Sequence, residues 1–197
     1  MVRHMTTTTP TPTTRLLRSS LLVAPLLFLA ADSTYAANGW DDPTAGVLHV
    51  LGAIAYGFAV LAVATRLPEA SRLRAVLVLT GLVGMAGSVA FGFDTIHSSV
   101  GDIELVDRDG AANLIKPLGL VFPLALLLVA GALSRLGQRW QAATVLVAGL
   151  AWPVAHIGNI AEVAVPVNVA LLVALGSAAL LQPARGADAR EWRTATV

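Results

Sequence analysis

The sequence predicts an all-α protein, a polytopic integral membrane bundle of six transmembrane helices. Hydrophobic residues make up 56% of the 197 residues, and charged residues make up only 13%, about half of the roughly 25% found in soluble domains. The apolar residues are gathered into runs of about twenty, which is the length that crosses a bilayer. This composition excludes a typical soluble enzyme and a basic nucleic-acid binder. The absence of cysteine excludes disulfides and iron–sulfur clusters.

The first apolar segment has two interpretations. It follows a Thr- and Pro-rich stretch, 1–16, that we expect to be a disordered cytoplasmic leader because it has little apolar surface to bury. A basic region, a short apolar core and small residues near Ala36 fit a signal peptide, whose removal would leave five spans. Residues 17–36 are also long enough to cross a bilayer, with Asp32 at the far interface. We favour the retained helix.

The other five spans are bounded by helix-capping, charged or turn-forming residues. Asp42 and Pro43 suit a helix start, because aspartate caps free amides and proline at the first helical position has no amide hydrogen to leave unpaired. The apolar stretch 141–181 is too long for one crossing, so we divide it at Gly158 and Asn159, its only turn signal. The predicted spans are 17–36, 46–65, 75–96, 114–133, 141–157 and 160–181, in a bundle of residues 17–182 followed by a cytoplasmic tail, 183–197.

The positions of the basic residues predict the orientation. With the N-terminus inside, eleven of the 13 Lys and Arg residues lie on the inner side, and only Arg108 and Lys116 lie outside. Short cytoplasmic loops carry an excess of Lys and Arg. We therefore expect a multi-pass protein of the cell membrane with both termini cytoplasmic.

Small residues recur every four positions along the third span, at Thr80, Gly84, Ser88 and Gly92. In lipid, such positions let two helices approach closely and gain van der Waals contact. They predict a helix-packing strip and a central place for the third helix. Asn168, in the sixth span, predicts a hydrogen bond between helices.

The few ionisable residues within the spans all lie near the outer ends. Those of metal-ligand type are His49, Asp94, His97, His156 and Glu162. Imidazoles and carboxylates suit zinc or another divalent metal, and the same groups can relay protons. Alternatively, they are simply stabilised near the headgroups. The cofactor is left unknown, with a divalent metal ahead of haem, because only two of these histidines lie deep enough to ligate iron.

No motif specifies a reaction, since nucleophile elbows and phosphate-binding loops are missing. Three classes of function remain. The favoured one is a small non-catalytic membrane or partner subunit. The alternatives are a component of a transporter or channel, and a membrane enzyme or redox protein with a metal or haem site at the outer-side histidines. The expected partners are the lipid bilayer and either a second copy of the chain or another membrane protein; nothing predicts binding to nucleic acid.

Overall fold

A computed structural model describes residues 10–181, without the side chains of residues 106, 114 and 115. This part of the chain forms helices joined by turns and contains no β-strand. The six α-helices are α1 (Pro12–Asn38), α2 (Pro43–Ala64), α3 (Arg72–Ser98), α4 (Ile115–Arg135), α5 (Arg139–Ile157) and α6 (Ala161–Leu180). All six are long and apolar enough to cross a membrane. The predicted all-α class is therefore confirmed for the described residues.

The helix ends follow the local signals in the sequence. The Asp42 side chain accepts a hydrogen bond from the Ala45 amide at 2.8 Å, and Pro43 occupies the first turn of α2. This hydrogen bond lowers the pKa of the Asp42 carboxyl because it stabilises the charged form, and a hydrogen bond from the Asn38 side chain contributes less. Between α5 and α6 the chain turns at Asn159, which has a φ of 52°. The predicted starts of α2 and α6 are therefore confirmed.

The first helix begins earlier than its predicted span. The Thr11 side chain accepts a hydrogen bond from the Thr14 amide at 3.3 Å, and Pro12 follows it in the first turn. These residues were assigned to the leader, whereas the structure places them in α1. Residues 1–9 of the leader, and the predicted tail 183–197, lie outside the described residues.

The helices pack in chain order and close into a ring. Each helix lies against the next one along the chain, and α6 packs back onto α1. Helix α3 therefore lies between α2 and α4 rather than at the centre as expected, and α2 is the most enclosed of the six. The connections are short except for the segment between α3 and α4, which contains two 3₁₀-helices, Leu105–Asp107 and Gly110–Leu114.

The small residues of α3 serve two interfaces. A Cβ on Gly84 would lie 2.7 Å from the Phe122 amide nitrogen on α4, whereas one on Gly92 would lie 2.9 Å from the Gly46 carbonyl oxygen on α2. Ser88 is buried. Thr80 is half-buried and donates to a carbonyl of its own helix. The predicted strip is thus divided between the two neighbours of α3.

Helix α1 supplies part of the core, so we expect the mature protein to retain it. Its buried face includes Leu21, Phe28, Asp32 and Tyr35. Removing these side chains would expose the surfaces of α2 and α6 that they cover. Intact-mass measurement of the purified protein checks this expectation, and a mature chain beginning near Ala37 would contradict it.

Candidate functional site

Four polar side chains from four helices meet inside one end of the bundle. We call them the polar cluster: Asp32 of α1, His49 of α2, His156 of α5 and Asn168 of α6. Each is at most 7% exposed. His49 and Asn168 lie about 10 Å along their helices from the nearer end, at about 1.5 Å per residue. Polar groups at such a depth are costly in lipid unless they pair with one another or have a function.

Asp32 is buried in the bundle rather than placed at the interface, which corrects the position expected from the sequence. Helix α1 continues past it to Asn38, so the carboxyl lies about one and a half turns inside the helix end. It also shares the inward face with Phe28 and Tyr35, at helical spacing. The amide of Asn168 donates to Oδ2 of Asp32, which confirms the predicted hydrogen bond between helices.

The two ring nitrogens of His156 face different neighbours. Its Nδ1 is 3.1 Å from the carbonyl oxygen of Trp152, and because a carbonyl only accepts, Nδ1 must carry a hydrogen. The other ring nitrogen, Nε2, is 3.4 Å from Oδ1 of Asp32. Neither Nε2 of His156 nor Oδ1 of Asp32 has a hydrogen-bond partner. The two groups therefore approach closely without a hydrogen bond between them.

His49 lies beside this pair with unused hydrogen-bonding capacity. Neither of its ring nitrogens has a hydrogen-bond partner, although the residue is 1% exposed. Its ring stacks on Phe28, with 4.5 Å between centroids, and its centroid is 6.3 Å from that of His156. Leaving a buried polar group unpaired costs about 1–3 kcal/mol. Such a group in a native protein calls for a functional explanation.

Aromatic side chains cover the polar cluster towards the nearer end of the bundle. The Trp40 indole donates to the carbonyl oxygen of Asn159 at 3.0 Å, which ties the α1–α2 turn to the α5–α6 turn. The same ring stacks on Tyr35 and meets His156 edge-on, at centroid distances of 4.9 and 5.7 Å. The Tyr35 hydroxyl donates to Thr95 of α3 at 3.3 Å. Trp40 is only half-buried, so it separates the cluster from the outside by a single layer.

Deeper in the bundle, apolar side chains close the interior. Tyr56 and Phe122 pack in an edge-to-face arrangement, with 5.2 Å between their centroids. The cavity beside them is about 10 Å³ and is lined by residues such as Leu21, Leu126 and Leu175. That volume is at the lower limit for one water molecule. The polar cluster is therefore shielded more thickly on this side than on the side of Trp40.

The other three residues of the predicted site lie elsewhere at the same end. Both carboxyl oxygens of Asp94 accept the Leu105 amide hydrogen, at 2.8 and 3.1 Å, and so hold the long segment between α3 and α4. His97 is about half exposed and pairs with Asp102 at 2.8 Å. Glu162 is exposed in the first turn of α6. The structure thus brings His49 and His156 together, but not the other three.

The arrangement gives little support to a metal centre. Within residues 10–181, no group of three or more His, Asp or Glu residues is placed to hold a metal ion. The polar cluster adds Asp32 and Asn168 instead, neither of which was among the predicted site residues. In the sequence, the helical spacing of Phe28, Asp32 and Tyr35 places all three on one face of α1, and this pattern could have predicted that the Asp32 carboxyl is buried.

The fold and the cluster define a multi-pass helical protein whose six apolar helices are compatible with a membrane and enclose ionisable side chains. Comparisons with models of known protein families, with curated proteins and with solved structures return no match for this chain.

Proposed function

We propose that this protein is a small multi-pass protein of the cell membrane that binds and releases a proton at the Asp32–His156 pair, as part of proton-coupled transport. The observation that carries the proposal is the position of His156, whose Nδ1 is committed to a carbonyl while Nε2 faces the carboxyl of Asp32. An imidazole and a carboxyl this close together could hold a transferred proton between Nε2 and Oδ1. Intramembrane carboxylates and histidines form proton relays in pumps and transporters.

His49 is the further imidazole beside this pair. It lies beside His156 and has no hydrogen-bond partner for either ring nitrogen. A neutral imidazole can accept a proton at one nitrogen and lose one from the other. Protons would reach the pair past Trp40, because the opposite side is closed by Tyr56 and Phe122. In transport by alternating access, the proton would enter past Trp40 in the first step. The layer formed by Tyr56 and Phe122 would open in the second.

The orientation forms part of the same proposal. The ends of the bundle are unequal in charge, and the end that holds Arg66, Arg74, Arg135 and Arg139 lies opposite the polar cluster. By the positive-inside rule, the arginine end is cytoplasmic, as are both termini. The polar cluster then opens to the outer side of the membrane.

Infrared difference spectroscopy of the reconstituted protein tests the proton site directly. Between two pH values, the wild type should show a protonated-carboxyl band that is absent from Asp32→Asn and retained in Asp94→Asn, whose carboxyl is buried at the same end outside the cluster. In vesicles with an imposed potential, Asp32→Asn and His156→Gln should slow proton entry by roughly tenfold or more. The exposed variant His97→Gln should match the wild type. Identical spectra and fluxes for wild type and Asp32→Asn would overturn the proposal.

The hydrogen bond between Asn168 and Asp32 favours a second candidate, a non-catalytic partner subunit in which the cluster only holds α1 to α6. In that case, the carboxyl of Asp32 would keep one protonation state across the pH range. Asp32→Asn would then change stability but not the pH dependence of the infrared spectrum.

A further inference from the structure

A polar groove opens at the arginine end of the bundle, between the α2–α3 turn and the end of α4. Its volume is about 880 Å³. Its polar lining consists of Thr65, Arg66, Glu69, Ser71, Arg74 and Arg135. The groove shares no residue with the polar cluster, so a ligand bound in it would not depend on the proposed proton site.

Basic side chains outnumber acidic ones among the described residues that line the groove. Three guanidinium groups line it against a single carboxylate. Glu69 approaches Arg74 only to 3.9 Å, and its side chain is 95% exposed. Exposed pairs of this kind are worth little, so Glu69 does not neutralise Arg74. Arg66 is held in place on one side by the Ala178 carbonyl oxygen at 3.3 Å.

Helix α3 begins at the groove without the usual compensation for its free amides. Its N-cap, Ser71, makes no side-chain capping bond, and its first turn holds no acidic residue. The first turn holds Arg72 and Arg74 instead, although the positive end of a helix dipole favours negative charge. The unpaired amides and the arginines together favour an anion at this position.

We propose that this groove binds the phosphate headgroup of an anionic membrane lipid. Guanidinium groups bind phosphate through paired, charge-assisted hydrogen bonds, and the hydroxyls of Thr65 and Ser71 can donate to the same oxygens. The groove lies at the ends of apolar helices, at the depth of the headgroups. The exposed side chains of Val76 and Leu79 continue along α3 from the groove and offer a surface to an acyl chain.

Affinity measurements on the full chain in detergent test this inference, with phosphatidylglycerol, phosphatidylcholine and inorganic phosphate titrated in separate arms. The wild type should bind phosphatidylglycerol most tightly. Arg74→Gln and Arg135→Gln should each weaken that binding about fivefold, as expected for one basic residue at an anionic surface. The control is Arg139→Gln, which removes an exposed arginine at the same end outside the groove lining, and it should bind like the wild type.

A variant that should bind more tightly is also needed, because misfolding could by itself explain weaker binding by the arginine variants. Glu69→Gln removes the only carboxylate among the described residues that line the groove and should tighten binding of phosphatidylglycerol about twofold. Equal affinity for the two lipids, or equal losses for Arg74→Gln and Arg139→Gln, would overturn the proposal. Inorganic phosphate binding as tightly as phosphatidylglycerol would overturn the lipid as occupant and leave a site for the free ion.

Discussion

Replacing Asp32 with alanine should lower the free energy of unfolding by about 2–6 kcal/mol, because two buried polar groups lose a partner at about 1–3 kcal/mol each. The variant Asp32→Ala leaves the Asn168 amide with only its longer bond to the Ala164 carbonyl oxygen, at 3.4 Å, and Nε2 of His156 facing an empty space. Both groups are almost fully enclosed, so water does not replace the lost partner. Denaturant titration of the protein in detergent, followed by circular dichroism, measures the change.

The matched control is another carboxylate at the same end of the bundle. Glu162→Ala removes an exposed side chain and should change the free energy of unfolding by no more than about 0.5 kcal/mol. Equal losses for Asp32→Ala and Glu162→Ala would contradict the burial and pairing described for Asp32.

Exchanging the carboxyl of Asp32 with the amide of Asn168 distinguishes a structural role of the cluster from a role in proton transfer. The double variant Asp32→Asn, Asn168→Asp keeps an amide–carboxyl bond between α1 and α6 but moves the carboxyl from one helix to the other. It should recover part of the stability that Asp32→Ala loses. If the cluster has only a structural role, the double variant should also show the wild-type pH response, whereas a proton site at Asp32–His156 requires that response to change.

Helix positions were predictable from the sequence because the bilayer imposes their length. Charged and turn-forming residues interrupt the apolar runs at Arg66, Arg135 and Asn159, each close to a helix end in the structure. The start of α2 was predictable for a local reason as well, since Asp42 caps it. The early start of α1 was missed because a run of Thr and Pro has the composition of a disordered segment.

The direction in which each side chain faces was much less predictable. In lipid, the outside of a helix is as apolar as its inside, so the hydrophobic pattern does not distinguish the two faces. His49 and Glu162 occupy comparable depths by sequence, yet one is buried between helices and the other is exposed. Asp32 was assigned to an interface because apolar segments commonly end at a charge, but here α1 ends at Gly39, whose φ is 109°.

Helices α3 and α4 approach each other closely at Gly87, and filling that position should be the second most damaging change. A Cβ there would lie 2.5 Å from both the carbonyl carbon and the carbonyl oxygen of Leu118 on α4. Backbone atoms cannot rotate away as a side chain can, so α3 and α4 must separate. We expect Gly87→Ala to lower the free energy of unfolding by about 1–3 kcal/mol, the range found for overpacked interiors.

The control substitution is the same change at Gly131, about one turn before the end of α4, where a Cβ would meet no atom within 4 Å. Alanine is preferred to glycine inside a helix by about 1 kcal/mol, so Gly131→Ala should leave the stability unchanged or raise it. The same denaturant titration measures both variants. We expect the glycine-to-alanine change to lower the free energy of unfolding at Gly87 and to leave it unchanged or raise it at Gly131. If Gly87→Ala were as stable as Gly131→Ala, the α3–α4 contact would have to be looser than the structure shows. The paired glycines Gly84 and Gly87 would then not be what holds these helices together.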